Sequence, residues 1–169
     1  LNLIYRDLQD ISFKHSMPMR FRAIEKAVKK ARGNRREMVD KILDAVRMQF
    51  AKAGIEVDLQ GREKTLFSIY HKMRSKHLSF SQVLDVYAFR VTVRTIDECY
   101  RALGILHSIY KPMPGKFKDY ISIPKLNGYQ SLHTTLVGPS GVPVEFQVRT
   151  ADMHAVAESG VAAHWAYKD

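Results

Sequence analysis

Two periodicities meet near position 55. Upstream, apolar residues recur at helical spacing: Phe21, Ile24 and Val28 share a face after Pro18. The capping pattern Asn34-Arg35-Arg36-Glu37 then predicts a second helix start, with Met38, Ile42, Val46 and Phe50 on its buried face. Gly54 stands where such a helix would close in the left-handed conformation. From Ile55 the period drops to two. Ile55, Val57 and Leu59 alternate with Glu56, Asp58 and Gln60, which predicts a half-buried strand ending at Gly61.

A helical period returns from Arg62 to Lys76, where Leu66, Ile69, Tyr70 and Met73 form an inward stripe and Lys64, Ser68 and Lys72 a polar ridge at i, i+4 and i+8. The β-branched and aromatic run Val86 to Val93 predicts a strand, and Asp97 to Tyr110 a helix. Strands are expected at Tyr120 to Ile123, Leu132 to Val137 and Val142 to Val148, and a last helix at Ala151 to Trp165. The pattern is that of an α+β domain without repeats or low-complexity linkers.

At 169 residues the chain fits one domain with a real core. Its 27 Lys and Arg against 17 Asp and Glu leave a net charge of +10, which favours a polyanionic partner: nucleic acid, nucleotide phosphates or an acidic membrane surface. A single cysteine, Cys99, excludes an intramolecular disulfide framework and a cysteine-based zinc site. No apolar run approaches the roughly 20 residues of a membrane span, and the start has no signal-peptide core, so a cytoplasmic location is expected. The first residue is Leu1 rather than Met, as in a piece of a longer chain.

Two acids stand beside strands rather than on solvated helix faces. Asp85 opens "VYAFRVTV"; Glu145 lies in "PVEFQVRT", where Val144, Phe146 and Val148 take one face and Glu145, Gln147 and Arg149 the other. A carboxylate on the polar face of such a sheet suits a metal ion or general-base work. Equally, Asp85 could cap a helix and Glu145 pair with Arg149 in solvent. Lys64, Ser68 and Lys72 could be a solvated ridge, but Lys111, Lys116, Lys118 and Lys125 crowd a Pro/Gly-punctuated loop of the kind that grips anions. Tyr129 follows the turn dipeptide Asn127-Gly128; an exposed ring flanked by Asn127, Gln130 and His133 would suit nucleobase stacking, or be a plain turn tyrosine. No Walker A, GxGxxG, HExxH or GxSxG pattern occurs, so phosphates would be held by side-chain cations.

Five ordered motifs resemble the synthetase domain of the RelA/SpoT family: "GREKTLFSIYHKM", "LDVYAFRV", "GKFKDYISIPKLNGYQSLHTT", "PVEFQVRT" and "VAAHWAYK", over roughly Met17 to Asp169. The resemblance implies a nucleotidyltransferase-like mixed sheet of about five strands flanked by helices. The implied activity is transfer of the β,γ-pyrophosphate of ATP to the 3′-hydroxyl of GDP or GTP, releasing AMP and making the alarmone (p)ppGpp of the stringent response. By motif, Asp85 and Glu145 are the implied catalytic and metal-binding carboxylates, for Mg²⁺ or else Mn²⁺. Arg62 and Arg90 are implied to sandwich adenine, and Lys64, Ser68 and Lys72 to surround the ATP phosphates. Tyr129 is implied to stack on guanine, with Lys116, Lys118, Lys125, Asn127, Gln130, His133 and Gln147 in the same acceptor site.

Regular strand geometry would put Asp85 and Arg90, five apart, on opposite faces unless Asp85 precedes the strand or a bulge resets the parity. "KFKD", Lys116 to Asp119, falls where the family reads RxKD in bifunctional enzymes and ExDD in synthetase-only ones; Lys116 turns a bidentate fork into a point charge. No His-Asp dipeptide of the family's hydrolase is present. The whole chain, residues 1–169, is therefore expected to be one synthetase domain, with a helical part at about 1–54 and the catalytic part at about 55–169. Hydrolase and C-terminal regulatory domains would belong to a parent chain, through which ribosome or regulator contacts would run; no membrane partner is expected. Two other readings stay open. The basic residues Arg20, Arg22, Lys26, Lys29, Lys30, Arg32, Arg35 and Arg36 could form an RNA-binding face, or the domain could be a weak or silent nucleotide binder.

Overall fold

The computed structural model describes the backbone of residues 2–62, 65–84 and 86–166, and the side chains of residues 7–30, 35–62, 65–83 and 86–159. Helix α1 (Asn2–Ser16) leads through Met17 into α2 (Pro18–Ala53). Pro18 disfavours helical geometry at the residue before it, and Met17 sits at φ −137°, ψ 64°. The expected second helix start at Asn34 does not occur, because α2 runs on through it. The reason is phase. Ile24 and Ile42 are 18 residues apart, five full turns, so one unbroken helix presents Ile24 and Val28 and then Ile42 and Val46 on the same side. Gly54 ends α2 at φ 68°, as its place predicted, and the N–H of Ile55 reaches back to the Phe50 carbonyl.

The sheet contains β1 (Asp58–Gly61), β2 (Tyr87–Val93), β3 (Lys111–Asp119), β4 (Leu132–Val137) and β5 (Pro143–Thr150), in the order β1-β2-β5-β4-β3. Among the described residues β2 and β5 alone run parallel; the other neighbours are antiparallel. Around it lie α3 (Leu66–Ser75), α4 (Phe80–Leu84), α5 (Ile96–Ile109), a 3-10 turn at Pro139–Gly141 and α6 (Ala151–Ala166). This is the mixed-sheet α+β architecture expected. Leu132, Leu136, Val144, Phe146, Val148, Phe89 and Val91 pack their side chains under α5 and the C-terminal half of α2. Each such fully buried side chain is worth about 1.5–3 kcal/mol. Cys99 lies in this core, where burial and then Glu98 push its thiol up to about 11, so it is a packing residue.

Strand β1 begins at Asp58 rather than Ile55, and two further segments differ in kind from expectation. Tyr120 to Ile123 is a turn, since Asp119 Oδ1 accepts the N–H groups of Ile121 and Ser122, both at 2.9 Å, and takes them from any ladder. The lysine-rich stretch before it is no loop but the edge strand β3. An edge tolerates Pro112 and Pro114, and the register slips between Pro112 and Phe117.

Candidate functional site

One face of the sheet is apolar and covered; the other carries most of the polar side chains. Register aligns Gln60, Arg90, Gln147, His133 and Lys118 in a single row across β1, β2, β5, β4 and β3. One step along, half-buried Glu145 stands between Ala88 and Thr135. Among the described residues Glu145 has no hydrogen-bond or ion-pair partner, and the expected pairing with Arg149 is absent. Arg149 is instead 3 % exposed and turned to the loop beside β4. A half-buried, unshared carboxylate between two small neighbours can supply one oxygen ligand to a hard cation such as Mg²⁺, but among the described residues no group of three or more His, Cys, Asp or Glu side chains gathers to hold a metal ion. Asp85, its expected companion, lies outside the described residues, and so does Lys64. Strand β2 begins at Tyr87, so strand parity places no constraint on position 85.

Most of the acceptor candidates converge around Tyr129, Lys116 excepted. Asn127 accepts the Tyr129 N–H at 3.1 Å, and Gly128 adopts φ 82°, a left-handed turn conformation that favours glycine. The ring is half-buried rather than exposed. It packs edge-on to Tyr120 (6.2 Å) and His133 (5.5 Å), and its hydroxyl lies 2.6 Å from His133 Nε2. Lys125 Nζ lies 4.7 Å from the Tyr120 ring centroid and 5.2 Å from that of Tyr129. Gln130 donates to the Ile121 carbonyl (3.2 Å), so it and Asn127 shape the loop. Burial, then the charges of Arg149, Lys125 and Arg62, bring His133 down to about 4 and hold it neutral. Lys116 and Lys118 are exposed on β3.

The donor candidates are less gathered. Arg62 follows β1, its N–H bound to the Ala88 carbonyl at 2.8 Å, and Arg90 flanks Gln147 in the row. Ser68 and Lys72 are half-buried on α3, which packs on α1, α2 and α4; among the described residues neither side chain bonds to the sheet row. Helix α3 starts at Leu66, not Arg62. Thr65 caps it through the Ser68 N–H (3.1 Å), while Asp10 of α1 accepts from Leu66 (3.4 Å) and Phe67 (3.0 Å).

The sequence holds no signal for the cap that Asp10 provides, and the parity of Arg149 with Glu145 and Gln147 is visible in it while the burial of Arg149 is not. Arg35, assigned to a basic face, lies 4.2 Å over the Tyr87 ring and donates to the Val86 carbonyl at 3.3 Å. Arg20 bonds Tyr70, and Lys29 pairs with Glu25 at 3.8 Å, so part of that basic run is tied into the fold.

The family model described as a region found in RelA / SpoT proteins matches residues 61–169. The chain belongs to the RelA/SpoT family. This RelA/SpoT chain is 55 % identical over 166 residues, 98 % of its length, to the bifunctional (p)ppGpp synthase/hydrolase SpoT of Escherichia coli K12. It is 43 % identical over 169 residues, its full length, to a GTP pyrophosphokinase of Myxococcus xanthus. It spans about a quarter of these relatives, 24 % and 22 % of their lengths. Among solved structures, small alarmone synthetase 2 of Bacillus subtilis matches with a TM-score of 0.62 at 26 % identity, over 80 % of both chains. The same organism's small alarmone synthetase 1 bound to its product pppGpp matches in fold, with a TM-score of 0.59 at 24 % identity over 79 % of this chain and 76 % of that one. No helix among the described residues is long and apolar enough to cross a membrane.

Proposed function

We propose that the chain is a (p)ppGpp synthetase domain that transfers the β,γ-pyrophosphate of ATP to the 3′-hydroxyl of GDP or GTP and releases AMP. The observation that carries this reading is the polar sheet face, where unshared Glu145 stands one step from the Arg90-Gln147-His133-Lys118 row and the Tyr129 cluster. Glu145 takes the proton of the 3′-hydroxyl, whose oxygen forms a bond to the β-phosphorus as the bond to the α–β bridging oxygen breaks. Tyr129 offers its ring to guanine, while Lys116, Lys118 and Lys125 supply positive charge to the acceptor's phosphates. Arg62 and Arg90 flank the adenine, and Ser68, Lys72 and Lys64 serve the ATP phosphates. Mg²⁺, held by Glu145 with Asp85, would offset the charge of the transferring phosphates. Working in a longer cytoplasmic parent protein, the domain would receive its regulation from other domains.

A second reading, nucleotide binding with little transfer, is favoured by relatives named for hydrolysis, such as the guanosine-3′,5′-bis(diphosphate) 3′-pyrophosphohydrolase of Vibrio cholerae, 52 % identical over 165 residues. The test is incubation with γ-labelled ATP, Mg²⁺ and GDP or GTP beside Glu145→Gln. The expected result is labelled (p)ppGpp from the unsubstituted chain and a loss of at least about 100-fold in the variant. Nucleotide binding without product would leave the second reading standing and overturn the first.

A further inference from the structure

Arg149 is the third polar-face residue of β5, after Glu145 and Gln147, and the least expected of them to be buried. A guanidinium taken out of water is costly, and replacing a buried charge network with apolar side chains is often neutral or stabilising. Folding alone therefore gives little reason for an arginine here. Its Nε has no hydrogen-bond partner among the described residues. Its other nitrogens are committed. Nη2 donates to the Tyr129 hydroxyl at 2.8 Å and to Gln147 Oε1, and Nη1 lies 3.5 Å from His154 Nδ1. The guanidinium carbon is 5.2 Å from the Tyr129 ring centroid.

Arginine has no acceptor, so in its bond to Tyr129 the phenolic oxygen accepts. The arrangement that gives the Tyr129 hydroxyl proton an acceptor then has the Tyr129 O–H donate to bare His133 Nε2 at 2.6 Å, with the imidazole proton on Nδ1. One buried cation thus sets the tyrosine's position, the direction of its hydroxyl and the tautomer of its histidine neighbour. We infer that Arg149 is the positioning residue of the acceptor nucleotide's base platform, acting through Tyr129, His133 and Gln147 rather than on the reacting atoms. The inference rests on the guanine-pocket reading proposed above.

The test is calorimetric titration of GDP, and separately of a non-hydrolysable ATP analogue, into the chain and its Tyr129→Ala, Arg149→Met and Arg149→Lys variants, with thermal melts to establish folding. Arg149→Met is expected to weaken GDP binding about tenfold, as for loss of a charge-assisted hydrogen bond, while the ATP analogue stays within about twofold. Arg149→Lys keeps the charge without the fork and is expected to fall between. In ¹⁵N spectra of the unsubstituted chain His133 Nε2 should appear unprotonated, and Arg149→Met should shift it. Should the Met variant not fold, the Lys variant carries the same comparison. GDP affinity weakened by Tyr129→Ala but unchanged in the Arg149 variants, or equal losses for both nucleotides, overturns this inference. No GDP binding to the unsubstituted chain overturns the pocket reading and this inference with it.

Discussion

His133 shows how little freedom the acceptor side leaves its members. Wedged 5.2 Å from the Tyr120 ring and 5.5 Å from that of Tyr129, and facing three cations, its imidazole is brought by burial first and those charges second to about 4. In the unfolded chain it titrates at about 6.5, so below that pH the unfolded state binds the proton that the folded state refuses. The contribution is complete above ~6.5 and is lost as pH falls towards about 4, at up to about 1.4 kcal/mol per pH unit in that window. Acidification from pH 7 to 4.5 should therefore lower the melting temperature, and His133→Phe should lose less over the same interval. Equal acid slopes for the two proteins would show that His133 carries no such proton linkage.

Among the elements, α3 depends most on a distant residue. An isolated helix start leaves four N–H groups without partners; here Thr65 takes one, and Asp10, more than fifty residues earlier, takes two. Asp10→Ala should cost about 1 kcal/mol and raise the KM for ATP more than that for GDP, while Asp10→Asn keeps part of both. Equal changes in the two KM values would detach α3 from the donor side. Such a long-range cap has no sequence signature, whereas α5, β4 and β5 were legible because each holds one strong period over its whole length. Other segments were misread where a local signal met a stronger competitor. The Asn34 to Glu37 capping pattern loses to helix continuity because the apolar stripe keeps its phase across it. Prolines made β3 look like a loop, though an edge strand can hold them. Tyr120 to Ile123 has strand-forming residues, but Asp119 has already claimed the N–H groups. Likewise the alternation in "PVEFQVRT" placed Glu145, Gln147 and Arg149 on one face; that Arg149 would be buried depended on a loop whose docking no local pattern encodes.

At the scale of the molecule, the described residues form two apolar cores. The larger fills the space between the sheet's covered face, α5 and the C-terminal half of α2; the smaller gathers Phe13, Phe21, Ile24, Val28, Ile69 and Val83 from α1 to α4. Rings of Phe13, Phe21, Phe67 and Tyr70 meet in it at 5.0–6.0 Å. Helix α2 belongs to both, so its unbroken length joins the element bearing Ser68 and Lys72 to the sheet bearing Glu145 and the Tyr129 cluster. If the donor phosphates are held by α3, loosening the smaller core should act on one substrate more than the other. Ile24, 7 % exposed and remote in sequence from every candidate nucleotide-binding residue, is the position to change. Ile24→Ala removes side-chain volume beneath α3 and should cost about 2–4 kcal/mol, of the size seen for large-to-small changes in close-packed cores. In protein still folded at the assay temperature, KM for ATP should rise several-fold while KM for GDP stays within about twofold. Leu136→Ala, fully buried in the larger core, should cost a similar amount without that preference. A matching shift of both KM values in Ile24→Ala would mean that α3 does not hold the donor, and that the sheet face binds both nucleotides.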